Sequence, residues 1–232
     1  MILVFPQATK KFNDLYQEML KESCINDFLD ISLGSYDLKT VKKVVIILLE
    51  NDVVEKHLNN YLNECEKINN FQIVKLKKET SGAICTTLMA IPILKNKSVI
   101  ISALDQIVLD KKLDFSNSLL RTNVDMLAPT HKSDNPSLCY ILKDDEDQVI
   151  QLFEKRLVSN EALLGIYIVK DFSEFYKNCH ELLIKYKGFK DRIFYTSDVI
   201  NNYIGKNMIC EFPRIDTNYY KIRTFKDFKV IK

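Results

Sequence analysis

Two residues of this 232-residue chain stand where a ligand would need them. Gly82, one of only five glycines, follows the apolar run "FQIVKL" (71–76) and precedes a helical run over 83–91. Asp105 follows a second apolar run, "SVIIS" (98–102). Both apolar runs read as strands, and ligands in open α/β sheets sit beyond the carboxyl ends of strands. A glycine there lets the backbone approach a flat ligand closely, because no side chain intrudes. The amides that open the following helix are free to donate hydrogen bonds. A lone carboxylate at the neighbouring strand end is an oxygen donor of the kind that Mg²⁺ prefers. Each residue also has a plainer reading, Gly82 as a turn into a helix and Asp105 as a cap or surface acid.

Composition narrows the classes. Lys and Arg number 33 against 31 Asp and Glu, a net charge of +2. That balance gives no global pull toward nucleic acid or an anionic membrane, and neither is expected as a partner. With 47% apolar and 28% charged residues, the chain is globular rather than disordered. No apolar run approaches the roughly 18 residues of a spanning helix. The opening "MILVFPQATKK" is too short in its apolar core for a signal peptide and reads as a first buried strand. Cys24, Cys65, Cys85, Cys139, Cys179 and Cys210 form no C-x-x-C pair. They are expected as reduced thiols of a cytoplasmic protein rather than zinc ligands. His57, His131 and His180 are isolated, and no Ser–His or Cys–His constellation stands out.

The elements that must position Gly82 and Asp105 alternate in type. Strands are expected at 2–5, 44–49, 71–76 and 98–102, with a helix over 54–68 whose Leu58, Tyr61, Leu62, Cys65 and Ile68 share one face. Strand–helix alternation predicts an α/β fold, a single domain over 1–232 with a mixed, mostly parallel sheet flanked by helices. Further strands are expected at 138–142, 148–153 and 163–169, the first two joined as a hairpin by the polar turn "DDED" (144–147). A helix is expected over 173–186.

The order of several short motifs resembles the sugar-nucleotidyltransferase family, the sugar-phosphate and choline-phosphate nucleotidylyltransferases with a Rossmann-like, GT-A-like fold. "TSGAICTTLMA" (80–90) resembles that family's helix start against the nucleotide base, and "SVIISALDQIV" (98–108) its strand ending in a metal-binding aspartate. "CYILKDDEDQVIQLFEK" (139–155) resembles a hairpin running into a Glu-Lys pair, and "ALLGIYIVKDFSEF" (162–175) a glycine-containing strand at the sugar-phosphate site. "FYTSDVINNYIGKNMICEF" (194–212) and "RIDTNYYKIRTFKDF" (214–228) resemble the closing segments. The resemblance spans roughly residues 70–228. It implies transfer of a nucleotidyl group from an NTP to a phosphorylated sugar or small alcohol, with release of pyrophosphate. In a bacterium the product would feed capsule or surface-glycan synthesis. It further implies Asp105 and Asp216 as Mg²⁺ ligands, with Asp227 as rival to Asp216. Lys155 would meet the acceptor phosphate and Glu154 would position the acceptor. Thr80, Gly82 and Ala83 would border the base, and Gly165 would allow close approach of the acceptor.

The chain departs from the family at its start. Such proteins carry a G-x-G-x-R loop after the first strand, which cradles the triphosphate. Here "PQATKKFNDLYQEMLKESC" follows instead, with no glycine before Gly34 and no arginine before Arg121. Lys10, Lys11 and Lys21 remain as phosphate partners, or as solvated lysines on a helix face. Two alternatives therefore accompany the transferase reading. One is a non-catalytic module that binds a nucleotide or sugar nucleotide. The other is a GT-A glycosyltransferase, whose usual D-x-D pair is replaced here by Asp105 and Asp110, five residues apart. Oligomeric state stays open, a homo-oligomer included.

Overall fold

The apolar runs form the centre of one sheet. In the computed structural model, which describes residues 1–110, 112–113, 123–189 and 191–232, β1 (Ile2–Gln7), β2 (Lys43–Leu49), β3 (Phe71–Leu76) and β4 (Val99–Ile101) run parallel in the spatial order β3-β2-β1-β4. Residues Val44–Leu48 are all buried, as strands covered on both faces must be. Alternation sends them to two cores. Leu3, Phe5, Val44 and Ile46 pack with α1 (Lys10–Lys21), α2 (Ile25–Gly34) and α3 (Asp52–Glu64). Ile2, Val4, Val45 and Ile47 face α4 (Ala83–Leu88), α6 (Phe172–Lys185) and α7 (Thr196–Gly205). Burying each such Val, Leu or Ile side chain contributes about 1.5–3 kcal/mol.

Beyond β4 the sheet turns mixed. β11 (Tyr167–Val169) pairs antiparallel with β4 and with β6 (Met126–Leu127), and β12 (Cys210–Glu211) closes the edge parallel to β6. Four of the six pairings in this seven-stranded sheet are parallel. A second, antiparallel sheet has the order β7-β10-β8-β9, from β7 (Thr130–Lys132), β10 (Glu161–Leu163), β8 (Cys139–Lys143) and β9 (Val149–Glu154). The expected hairpin is β8–β9, and Asp147 takes φ 62° in its turn. A two-stranded ribbon joins β5 (Gln106–Val108) to β13 (Tyr219–Lys221), and α8 (Phe225–Ile231) follows it.

Two expected elements are each two. The single strand over 163–169 divides into β10 and β11, which belong to different sheets. The chain turns between them at Gly165, whose φ of +72° breaks an extended run. The helix expected over 83–91 stops at Leu88 and restarts as α5 (Ile91–Leu94). Pro92 has no N–H to donate to Leu88, so it serves in the first turn of a new helix instead. All six cysteines are free thiols. Among the described residues no helix is long and apolar enough to cross a membrane.

Candidate functional site

At the carboxyl ends of β1 and β4 lies a cavity of about 750 Å³, a size typical of small-molecule sites. Pro6 and Gln7 line it from β1, and Ile101, Ser102 and Ala103 from β4. It gathers Lys11, Ala83, Asp105, Glu154, Lys155 and Gly165 from separate stretches of chain.

Asp105 sits in the turn between β4 and β5, held by its backbone, because the Ile222 amide donates to its carbonyl at 2.7 Å. Its Oδ1 is closed off from solvent and has no hydrogen-bond partner among the described residues. Burial raises its carboxyl pKa, and the charges of Lys221 and Arg223 work against that rise. Glu154 ends β9 and accepts a hydrogen bond from Ser197 Oγ at 3.0 Å. Lys155 follows it in the left-handed region, φ 55°. Its Nζ donates to Tyr195 Oη at 2.9 Å and lies 5.1 Å from the centre of that ring. The hydrogen bond to Tyr195 holds the ammonium pKa up. Among the described residues Cys139 is the one thiol on the cavity wall, and burial pushes its pKa far up, so it stays protonated.

Other expected residues lie elsewhere. Gly82 does not line the cavity. Its close approach is to the chain itself, since a Cβ there would meet the Phe194 carbonyl oxygen at 2.4 Å. Thr80 closes the same turn, donating its hydroxyl to the Gly82 carbonyl at 3.0 Å. Gly165 does line the cavity, and its missing side chain makes room for Gln106, whose Nε2 would lie 2.0 Å from a Cβ. Lys10 stays outside the cavity, and its backbone N–H donates to a carboxylate oxygen of Glu79. Lys21 ends α1 about 16 Å along the axis from Lys10.

The second acid is not delivered to Asp105. Asp216 is 88% exposed, lies 3.5 Å from Arg214 Nε, and borders a separate hollow of about 280 Å³ with Asp110 and His131. Asp227 serves as a helix cap, accepting from the Arg223 and Thr224 amides at 2.8 Å each. Among the described residues no three acids, histidines or cysteines cluster as metal ligands. An unpartnered Asp105 oxygen alone would suit Mg²⁺, but the groups nearest in charge are Lys221 and Arg223, not a further carboxylate. The residues present do not fit a divalent cation held between two acids.

Sequence reasoning passed over Lys221, Arg223, Tyr195, Tyr167 and Gln106, all of which line the cavity. For Lys221 and Arg223 a signal exists: in "YYKIR" the two cations alternate with apolar residues as they would on one side of a strand. Tyr195 and Tyr167 carry no comparable mark.

No family model matches the chain, and no curated protein sequence matches it significantly. Solved structures do. The nucleoside-diphosphate-sugar pyrophosphorylase from Vibrio cholerae RC9 superposes with a TM-score of 0.77 over 99% of this chain and 98% of its own, at 14% identity. The inositol-1-phosphate CTP transferase from T. maritima gives a TM-score of 0.67 over 97% and 90%, at 13% identity. A UDP-glucose pyrophosphorylase gives 0.70 over 98% and 94%, at 15% identity. At such low identity the likeness establishes architecture: this chain has the Rossmann-like α/β fold of the sugar-nucleotide pyrophosphorylases and nucleotidyltransferases.

Proposed function

We propose that the chain is a nucleotidyltransferase, joining a nucleotidyl group from an NTP to a phosphorylated sugar or small alcohol in the 750 Å³ cavity. The observation that carries this reading is the convergence of Lys11, Ala83, Asp105, Glu154 and Lys155 on one cavity at the strand ends. Known structures with the same fold include nucleotide-sugar pyrophosphorylases and a CTP transferase. In this reading the base lies near Ala83. Lys155, fixed by Tyr195, meets the acceptor phosphate, and Glu154, fixed by Ser197, orients the acceptor. An acceptor phosphate oxygen attacks the α-phosphorus of the NTP. The new P–O bond forms as the bond to the bridging oxygen breaks, and pyrophosphate leaves with that electron pair. No side-chain nucleophile takes part, in keeping with a protonated Cys139. Such work would proceed in the cytoplasm, where free thiols persist, and would supply an activated precursor for surface-glycan or capsule synthesis.

One observation favours a second reading, a module that binds nucleotide without turnover. The first amide of α1, a donor that a phosphate at the N-terminus of this helix would use, is taken by Glu79, while the flanking Thr9 and Lys11 line the cavity. The deciding experiment is pyrophosphate release with each NTP against a panel of phosphorylated sugars and amino alcohols. Release above the protein-free control for one pair supports the transferase. Control-level release for all pairs, alongside measurable nucleotide binding, supports the module.

A further inference from the structure

The closing ribbon delivers cations to the cavity. β13 pairs antiparallel with β5 so that Lys221 lies opposite Gln106 and Tyr219 opposite Val108. Just past that register the Ile222 amide bonds to the Asp105 carbonyl. Alternation turns Tyr219 and Lys221 to one side of β13, and both line the cavity together with Ile222 and Arg223, which follow the strand. Arg223 is steadied across the opening, its Nη2 donating to Ser137 Oγ at 2.6 Å, and Ser137 in turn bonds Asn135 Oδ1 at 2.8 Å.

We propose that Lys221 and Arg223 are the phosphate-binding groups of this cavity and stand in place of a protein-held divalent cation, so that a ligand with adjoining phosphates binds without metal. Three observations support this. The cavity carries four cations, Lys11, Lys155, Lys221 and Arg223, against two carboxylates, Asp105 and Glu154, among its described lining residues. Arg223 and Lys155 line the same cavity, and the charges of Lys221 and Arg223 both act on Asp105. Like charges gathered on one cavity wall repel, and an anion between them relieves the repulsion. A divalent cation at Asp105 would instead face the charges of Lys221 and Arg223, and the cavity's other carboxylate, Glu154, already accepts a hydrogen bond from Ser197. Arginine's planar fork suits phosphate oxygens, and the lysine supplies a point charge beside it. Asp227 holds the backbone of Arg223 rather than occupying the cavity. That the adjoining phosphates belong to a nucleotide rests on the function proposed above.

The test is titration calorimetry at low salt with inorganic pyrophosphate, the four NTPs and UDP-glucose, each with Mg²⁺ and with EDTA. The wild-type protein should bind pyrophosphate and at least one nucleotide with affinities that agree within about threefold in the two buffers. Lys221→Ala and Arg223→Ala should each weaken binding in EDTA by about tenfold or more, equivalent to about 1.4 kcal/mol. Arg223→Lys should recover part of its loss. Lys221→Asp should make binding depend on Mg²⁺. Urea melts of each variant separate lost binding from lost folding. Wild-type binding that needs Mg²⁺ by tenfold or more overturns the inference and leaves the nucleotidyltransferase reading standing, as does wild-type affinity in both alanine variants. Pyrophosphate bound in EDTA through Lys221 and Arg223, with no nucleotide bound, sustains the inference and overturns the nucleotide reading. Binding of neither probe overturns both.

Discussion

Gly82 and Phe194 touch through their backbones. A Cβ on Gly82 would lie 2.4 Å from the Phe194 carbonyl oxygen and 3.0 Å from its nitrogen. The Phe194 amide donates to the neighbouring Ser81 carbonyl at 2.7 Å. The segment before α7 is thereby fastened to the start of α4, and Tyr195, the residue after Phe194, is set to hold Lys155. The glycine thus acts on the cavity at second hand, through the chain it admits.

Gly82→Ala should therefore destabilise the fold by at least about 2 kcal/mol, because it combines a positive φ with a backbone clash. Gly188 provides the control, with φ +105° and nothing within 4 Å of the place its Cβ would take. Gly188→Ala should cost only about 1 kcal/mol. Urea melts of the pair measure the difference, and equal losses would show that the contact with Phe194 is slack.

Asp105→Asn should raise stability at neutral pH by about 1 kcal/mol, because it removes a buried carboxylate charge whose Oδ1 has no hydrogen-bond partner among the described residues. Burial holds the folded pKa above the ordinary 3.8, so the folded protein takes up its proton more readily than the unfolded chain. Stability then falls as pH rises from the unfolded pKa to the raised folded value, and the full penalty persists above it. The advantage of the asparagine variant should vanish below about pH 4. Thermal melts from pH 3 to 8 check the sign; an advantage that grows toward low pH would refute it.

Lys155 separates function from conformation. Lys155→Gly should leave the fold as stable or gain about 1 kcal/mol, because glycine adopts a φ of 55° without cost. Lys155→Ala keeps the strained backbone. Both should raise the acceptor KM or lower kcat about tenfold or more with NTP affinity unchanged. Equal losses for both substrates in steady-state kinetics would place the ammonium away from the acceptor.

Glu79→Ala should free the first amide of α1. Loss of a carboxylate at a helix N-terminus should cost about 0.3–1 kcal/mol. If Glu79 competes with phosphate there, pyrophosphate should bind the variant more tightly than wild type, by about threefold or more. Calorimetry beside a urea melt reads both effects. Unchanged affinity would make Glu79 a helix cap and nothing more.

Much of the fold is legible along the chain because it follows from local periodicity. Val44–Leu48 are apolar throughout, so they must lie between two covered faces, and that alone predicts a central parallel strand. Leu58 and Leu62 at helical spacing mark the buried face of α3. Asp105 can be singled out because a strand end next to an acid is visible in one dimension. Glu154 and Lys155 are marked by the hairpin that precedes them.

The rest depends on which distant segments meet. Gly82 reads as room for a ligand, yet what fills that room is Phe194, more than a hundred residues away in sequence, and no local pattern announces it. Asp216 and Lys221 lie five residues apart in one loop-and-strand segment. Pairing of β13 with β5 turns Lys221 toward Asp105 and leaves Asp216 exposed beside Arg214. A strand's register decides which of its side chains face a cavity, and a shift of one residue reverses every choice. The sequence by itself determined the α/β layers, the helix faces and the presence of an acid at a strand end. Only the tertiary structure decided that cations rather than a second acid stand beside it, because that depends on long-range pairing, which periodicity does not encode.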